Sequence, residues 1–213
     1  MAIIVFGGQK GGTGKSTLAW NIGAERAAHG KKVLLVDTDE QLTMAKWAAR
    51  RKEARIEPRI PCISLYGETV GDEVMDHMPN YDDIIIDCHG GMTAELISAL
   101  SVADKFFAPT QTNPADLDTF PDLDKLIPRV RALNKKLKAY IVINQAVNGS
   151  RVNQAKRDLE AANVSNFTVL DFPIVKRTVF GDTSGDGMAV TEYERRNGDA
   201  VSEILLLAEE VWA

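Results

Sequence analysis

The chemistry that is easiest to read lies near the start of the chain, in Gln9-Lys10-Gly11-Gly12-Thr13-Gly14-Lys15-Ser16-Thr17. Gly11, Gly12 and Gly14 allow successive backbone N–H groups to turn inward around an anion. Lys15 then offers a cation to terminal phosphates and Ser16 a hydroxyl to magnesium, with Thr13 and Thr17 completing the cradle. An apolar run, Ile3 to Phe6, precedes these residues and a helical pattern follows them. A helix N-terminus therefore adds its partial positive charge. Together these features imply a phosphate-binding loop for ATP and Mg2+, with ATP hydrolysis as the reaction. A glycine-rich turn holding a chance Lys-Ser pair is the bland alternative, and it explains neither the strand before nor the helix after.

Two runs ending in carboxylates come next. Val33 to Val36 leads into Asp37-Thr38-Asp39, where alternate positions point the same way at a strand end, an arrangement that magnesium would hold together. A strand-to-helix cap is the plainer reading for both aspartates. Tyr81-Asp82-Asp83-Ile84-Ile85-Ile86-Asp87 is a hydrophobic strand terminated by a carboxylate, the way a Walker B aspartate is presented to magnesium. His89 follows in a glycine-bearing segment, Cys88-His89-Gly90-Gly91, and reads as a loop residue rather than a catalyst. Those two glycines would let the segment move with nucleotide state. Asn144 ends the run Ile141 to Ile143, where its amide could meet an adenine edge or simply close a turn.

The elements that position these residues alternate. Short apolar runs at Ile3 to Phe6, Val33 to Val36, Ile84 to Ile86, Phe106 to Ala108, Tyr140 to Ile143 and Thr168 to Leu170 are continuous enough to be strands covered on both faces. Helical stretches separate them: Ser16 to Ala28, Thr93 to Val102 and Leu117 to Leu133. A further one is capped by Ser150, with Val152, Ala155, Leu159 and Ala162 on one face. Alternation of this kind predicts an α/β fold, a doubly wound, mostly parallel sheet with helices on both faces, its ligands at the carboxyl ends of the strands. The whole chain, 1–213, reads as one ATPase domain, with Arg55 to Gly71 and Phe180 to Gly187 as the expected irregular stretches.

The phosphate loop departs from the plain G-x-x-x-x-G-K-[ST] pattern: its first glycine is Gln9, and a second lysine, Lys10, stands inside it. In this it resembles the deviant Walker A loop of the ParA/MinD family of partitioning and positioning ATPases. That resemblance implies that Lys10 reaches the nucleotide of a partner chain, so that two copies sandwich two ATP molecules. It also implies that Asp39 positions the attacking water while Asp37 supports the magnesium. Asp37 to Gln41 is similar to the family's D-x-D-P-Q block, with Glu40 in place of proline. Family members carry Cys-Pro-Pro or Gly-x-Gly after the Walker B aspartate and an adenine-contacting asparagine at the position of Asn144. The loop Ala108 to Asp116 is similar to one that brings an aspartate near the dimer seam.

Composition and absences narrow the task within the family. The chain of 213 residues is 45% hydrophobic and 26% charged, an ordinary globular balance. No apolar run approaches the roughly 18 to 20 residues of a membrane span. Cys62 and Cys88 form no C-x-x-C, which argues against iron–sulfur branches. The first strand starts too early for a preceding DNA-reading module, and Val201 to Ala213 lacks the Lys and Arg of a membrane-tethering helix. The net charge of −5 is unevenly spread: Arg129 to Arg177 holds ten Lys and Arg against three acids. Arg151, Lys156, Arg157, Lys176 and Arg177 are the candidates for non-specific contact with DNA phosphates, each with a solvated surface charge as its alternative.

A small partition ATPase of the ParF type is therefore expected: a weak enzyme, cytoplasmic and nucleoid-associated. It would be a homodimer on ATP, released from DNA when a ParB-like or other adaptor stimulates hydrolysis. A positioning ATPase for a protein cargo, such as a carboxysome or chemoreceptor cluster, and a nucleotide-switched scaffold with little turnover are the alternatives.

Overall fold

The computed structural model describes residues 1–193 and 197–213. Seven strands, β1 (Ala2–Gly8), β2 (Val33–Asp37), β3 (Cys62–Ser64), β4 (Asp83–Gly90), β5 (Lys105–Thr110), β6 (Lys138–Ile143) and β7 (Thr168–Val169), form one sheet. Their spatial order is β3-β2-β4-β1-β5-β6-β7, and every pairing is parallel. The helices are α1 (Lys15–Ala28), α2 (Thr43–Glu53), α3 (Val70–His77), α4 (Ala94–Val102), α5 (Pro114–Leu117), α6 (Phe120–Arg131), α7 (Gly149–Ala161), α8 (Val179–Asp186) and α9 (Gly198–Trp212). The expected doubly wound α/β architecture is present, and among the described residues no helix is long and apolar enough to cross a membrane.

Both faces of the sheet are dry because alternate residues of nearly continuous apolar strands face opposite ways. Val5, Leu34, Val36, Ile84, Ile86 and Cys88 join one core with α3 to α7. Ile4, Phe6, Leu35, Ile85 and Phe107 join the other with α1, α2, α8 and α9. On that second face Phe6, Phe107 and Tyr140 stack across three strands, with ring centroids 5.5 and 4.9 Å apart. The alternation that puts Ile85 on this face puts Asp87 there too, two residues along β4; beyond it the pairing with β1 shifts by one residue at Cys88 and His89.

The structure departs from the sequence reading in four places. The helix expected from Leu117 to Leu133 is two, α5 and α6, because Pro121 in the first turn of α6 has no N–H to continue from α5. The cap of α7 is Asn148, whose side chain accepts from Arg151 N, rather than Ser150; Ala162, expected on its buried face, is the exposed C-cap residue. The stretches expected to be irregular contain β3, a three-residue edge strand, and α8, whose glycines Gly181 and Gly185 obscure its helical pattern. Finally, Cys88 to Gly90 is a continuation of β4 paired with β1, and Gly91 N donates to Gly8 O.

Candidate nucleotide site

The phosphate loop occupies residues 9 to 14, between β1 and α1 at the centre of the sheet, and three amide side chains hold it from outside. Asn144 Nδ2 donates to Thr13 O at 2.7 Å, Gln145 Nε2 to Gly12 O at 2.8 Å, and Gln111 Nε2 to Gly12 O at 3.3 Å. A trans peptide points its C=O and N–H in opposite directions. Fixing the carbonyls of Gly12 and Thr13 therefore aims the N–H groups of Thr13 and Gly14 the other way, as an anion cradle requires. Gly14 has φ 91°, and a Cβ there would collide with the Asn144 amide. Gly90 is glycine for closeness: a Cβ would lie 3.0 Å from Gly11 N.

Lys15 is buried, and its Nζ donates to Lys10 O at 2.8 Å, leaving further N–H donors. Burial pulls its pKa down, while Asp87 and Asp39 pull it back up. Lys10 is different: its side chain is 43% exposed, and its only ion pair among the described residues is a loose one, 3.9 Å from Asp116 Oδ1. Asp116 is itself anchored by Asn113, whose amide donates to its carboxylate at 2.9 Å.

The carboxylates divide by what they already hold. Asp37 and Asp87 are cross-strand neighbours on β2 and β4. Asp37 accepts from Asp39 N at 3.0 Å and from Ala45 N at 2.9 Å, so it shapes the turn into α2; burial raises its pKa and those hydrogen bonds lower it. Asp87 is fully buried, and neither of its oxygens has a hydrogen-bond partner of good geometry. Burial pushes its carboxyl up to about 7, against the pull of the nearby Ser16 hydroxyl. Asp39 is less buried: Oδ1 accepts from Gln41 N at 2.8 Å, and Oδ2 lies 3.1 Å from His89 Nδ1.

An orphaned carboxylate beside a serine hydroxyl at the mouth of a phosphate cradle fits a hard divalent cation. Among the described residues no cluster of three or more His, Cys, Asp or Glu stands ready to hold a metal unaided. A cation held here by Ser16 and Asp87 would have to draw its remaining oxygens from phosphate and water, which suits Mg2+.

Beside the cradle lies a cleft of about 140 Å³ bordered by Thr17, Leu18, Asn144, Val175 and Phe180 among others. Asn144 lines it with one amide N–H given to the loop, while the second N–H and the amide oxygen have no part in that bond. The expected DNA residues do not form one set. Arg151 and Arg157 are exposed on α7, and Lys176 is exposed beside the start of that helix, its N–H donating to Ala146 O. Lys156 Nζ is tied to Asp171 O at 3.0 Å. Arg177 is already engaged: Nη1 and Nη2 of its guanidinium bond Glu203, at 2.6 and 2.8 Å, and its side chain is 16% exposed.

Comparison with known proteins agrees with this geometry. Residues 4–190 match the CobQ/CobB/MinD/ParA nucleotide binding domain. The chain belongs to that family. It is a ParA/MinD-type ATPase of the partition or positioning kind. It is 30% identical to the maintenance of carboxysome distribution protein A of Halothiobacillus neapolitanus, over 95% of this chain and 92% of the relative. It is 23% identical to protein ParA of Rhizobium radiobacter over 96% and 91% of the two chains. In fold it resembles an ATP complex of a variant of McdA from Cyanothece, with a TM-score of 0.76 at 14% identity, covering 99% of this chain and 96% of that one.

The features of this ParA/MinD-type site that sequence reasoning missed are Gln111, Gln145 and the His89–Asp39 contact. Amides at the ends of two apolar runs, in Thr110-Gln111 and Asn144-Gln145, were the one available signal.

Proposed function

We propose that this chain is an ATP-driven partition or positioning switch, one unit from residue 1 to 213. It dimerises on ATP, rides non-specific DNA of the nucleoid in the cytoplasm, and leaves it when an adaptor stimulates slow hydrolysis. The observation that carries this reading is the contrast between the two loop lysines: Lys15 is buried in its own cradle, whereas Lys10 is half exposed and only loosely paired. A cation free to swing outward suits action on a second chain's nucleotide, where it meets charge developing on the transferring phosphate.

Within one subunit Lys15 and the N–H groups of Gly11 to Gly14 bind the phosphates, and Thr17 and Asn144 flank the base. Ser16 and Asp87 hold Mg2+, which supplies charge neutralisation when bound. Asp37 supports it through the turn that it fixes. Asp39 orients the attacking water. Arg151, Arg157 and Lys176, with Lys156 behind them, make the DNA-facing patch; Arg177 is left out of it.

The cargo reading that the relatives favour is a protein body, because the relative at 30% identity is named for carboxysome distribution. A plasmid or chromosome site held by a ParB-like adaptor uses the same switch. Intact Asp39 and Asp87 weigh against a scaffold without turnover. The test is binding to non-specific duplex DNA with ADP, ATP and a non-hydrolysable analogue at two salt concentrations. Binding confined to the triphosphate states and weakened by salt is expected; no binding in any state would remove DNA from the scheme.

A further inference from the structure

The contact between His89 and Asp39 joins two segments that are distant in sequence, and nothing in the phosphate cradle requires it. Asp39 lies in the turn between β2 and α2, with its carboxylate one-fifth exposed at the edge of a cleft of about 600 Å³. One oxygen is fixed by Gln41 N at 2.8 Å, and its own N–H is fixed by Asp37 Oδ1 at 3.0 Å. The second oxygen would be left to rotate in water without His89, whose Nδ1 stands 3.1 Å away.

His89 can do this because β4 runs two residues past Asp87. Between Asp87 and Gly90 the pairing with β1 slips by one residue, so that Cys88 and His89 together oppose Gly7, and such a bulge re-aims a side chain; here the imidazole reaches Asp39, in the turn after β2. Its backbone is held by the pairing of Gly90 with Gly8 and by the bond from Gly91 N to Gly8 O. A side chain on a paired strand is held more firmly than one on a free loop. With Nδ1 protonated, the ring donates to the carboxylate.

We propose that His89 is a positioning residue for hydrolysis: it locks the second oxygen of Asp39, so that this carboxylate meets the attacking water in one rotamer. The proposal rests on the water-orienting role given to Asp39 above. In this role His89 acts through Asp39, the residue it contacts. An orienting carboxylate free to turn presents its acceptor lone pairs in the productive direction only part of the time, and turnover falls by that fraction while nucleotide binding does not.

The test compares steady-state ATP hydrolysis, Mg·ADP affinity and thermal unfolding for wild type, His89→Leu, His89→Asn and Asp39→Ala. The asparagine amide places a donor near the position of Nδ1, so His89→Asn should keep turnover within about twofold. His89→Leu should lower kcat roughly tenfold, the loss of a hydrogen bond to a charged group, with KM, ADP affinity and unfolding temperature unchanged. In an Asp39→Asn background the leucine substitution should cost nothing more. The clamp is overturned if His89→Leu retains full turnover while Asp39→Ala is inactive, or if the leucine and asparagine variants fall together. Normal turnover by Asp39→Ala would overturn the reading of Asp39 itself, and the clamp with it.

Discussion

Two buried charges, Asp87 on β4 and Arg51 near the end of α2, are treated in opposite ways. Both are almost inaccessible to water. The Arg51 guanidinium bonds both oxygens of Glu192 at 2.7 Å, takes Pro58 O at 2.9 and 3.1 Å, and reaches Gly187 O at 3.3 Å. Around it Trp47 Nε1 donates to Met188 O, and Gly187, at φ 70°, leaves room for the Arg51 backbone. Among the described residues Asp87 has no partner of good geometry on either oxygen, and burial, helped by the nearby charges of Asp37 and Asp39 and opposed by Ser16 and Lys15, has pushed its carboxyl up to about 7. A buried charge that is fully bonded ties elements together. A buried charge left unsatisfied costs stability in the free protein, and such groups gather where a ligand will complete them. Arg51 therefore belongs to the scaffold, fastening α2 to Gly187 and Glu192, whereas Asp87 has the environment that its proposed magnesium role calls for.

The sharpest way to break this contrast is to remove each charge. Arg51→Ala strands Glu192 and empties three other bonds, so it should lose about 3 to 5 kcal/mol of unfolding free energy. Chemical denaturation measures that loss, and the surviving folded protein should bind ATP as before. A variant as stable as wild type would show that the clamp is ornamental.

Asp87→Asn should behave in the reverse sense, with hydrolysis down on the order of 100-fold or more and the nucleotide-free fold no weaker. The pH dependence gives the sign. Because the folded value near 7 exceeds the roughly 3.9 of an unfolded chain, the unfolded state gives up this proton first. Native stability is therefore lost progressively from about pH 4 to about pH 7 and stays lost above that. In nucleotide-free protein Asp87→Asn should remove that loss, so the variant is the more stable one at about pH 8 and the gap closes at about pH 4. A destabilised variant at about pH 8 would mean that Asp87 is bonded after all.

The smallest effect extends the contrast to the surface. Arg157→Ala should reduce the slope of log affinity for DNA against log salt by about one unit. Arg177→Ala should leave the slope alone and lower stability instead, since its charge is spent on Glu203. Equal slopes for the two variants would mean that ion pairing does not sort these arginines.

What was legible in the sequence follows from the range of the interactions. The phosphate loop could be read because its residues act on one another within a turn. The parallel sheet could be read because strands buried on both faces are apolar almost without a break. β3 could not, since three residues beside Pro61 carry no period and owe their pairing to β2. The Asn144 anchor, the two glutamines on Gly12 O and the His89–Asp39 clamp join residues dozens of positions apart and left no local mark. Arg177 was unreadable for the same reason: it lies in the loop before α8 and its partner, Glu203, is 26 residues away on α9. Residues that would have looked alike on a list of charges are separated only by what they touch.

The central claim is that Lys10 acts between chains, and sedimentation velocity with ATP, ADP and no nucleotide tests it most directly. Wild-type protein should be a dimer with Mg·ATP and a monomer otherwise, while Lys10→Ala should bind ATP yet remain a monomer and lose hydrolysis. A Lys10→Ala protein that dimerises and turns over ATP at the wild-type rate would contradict the account.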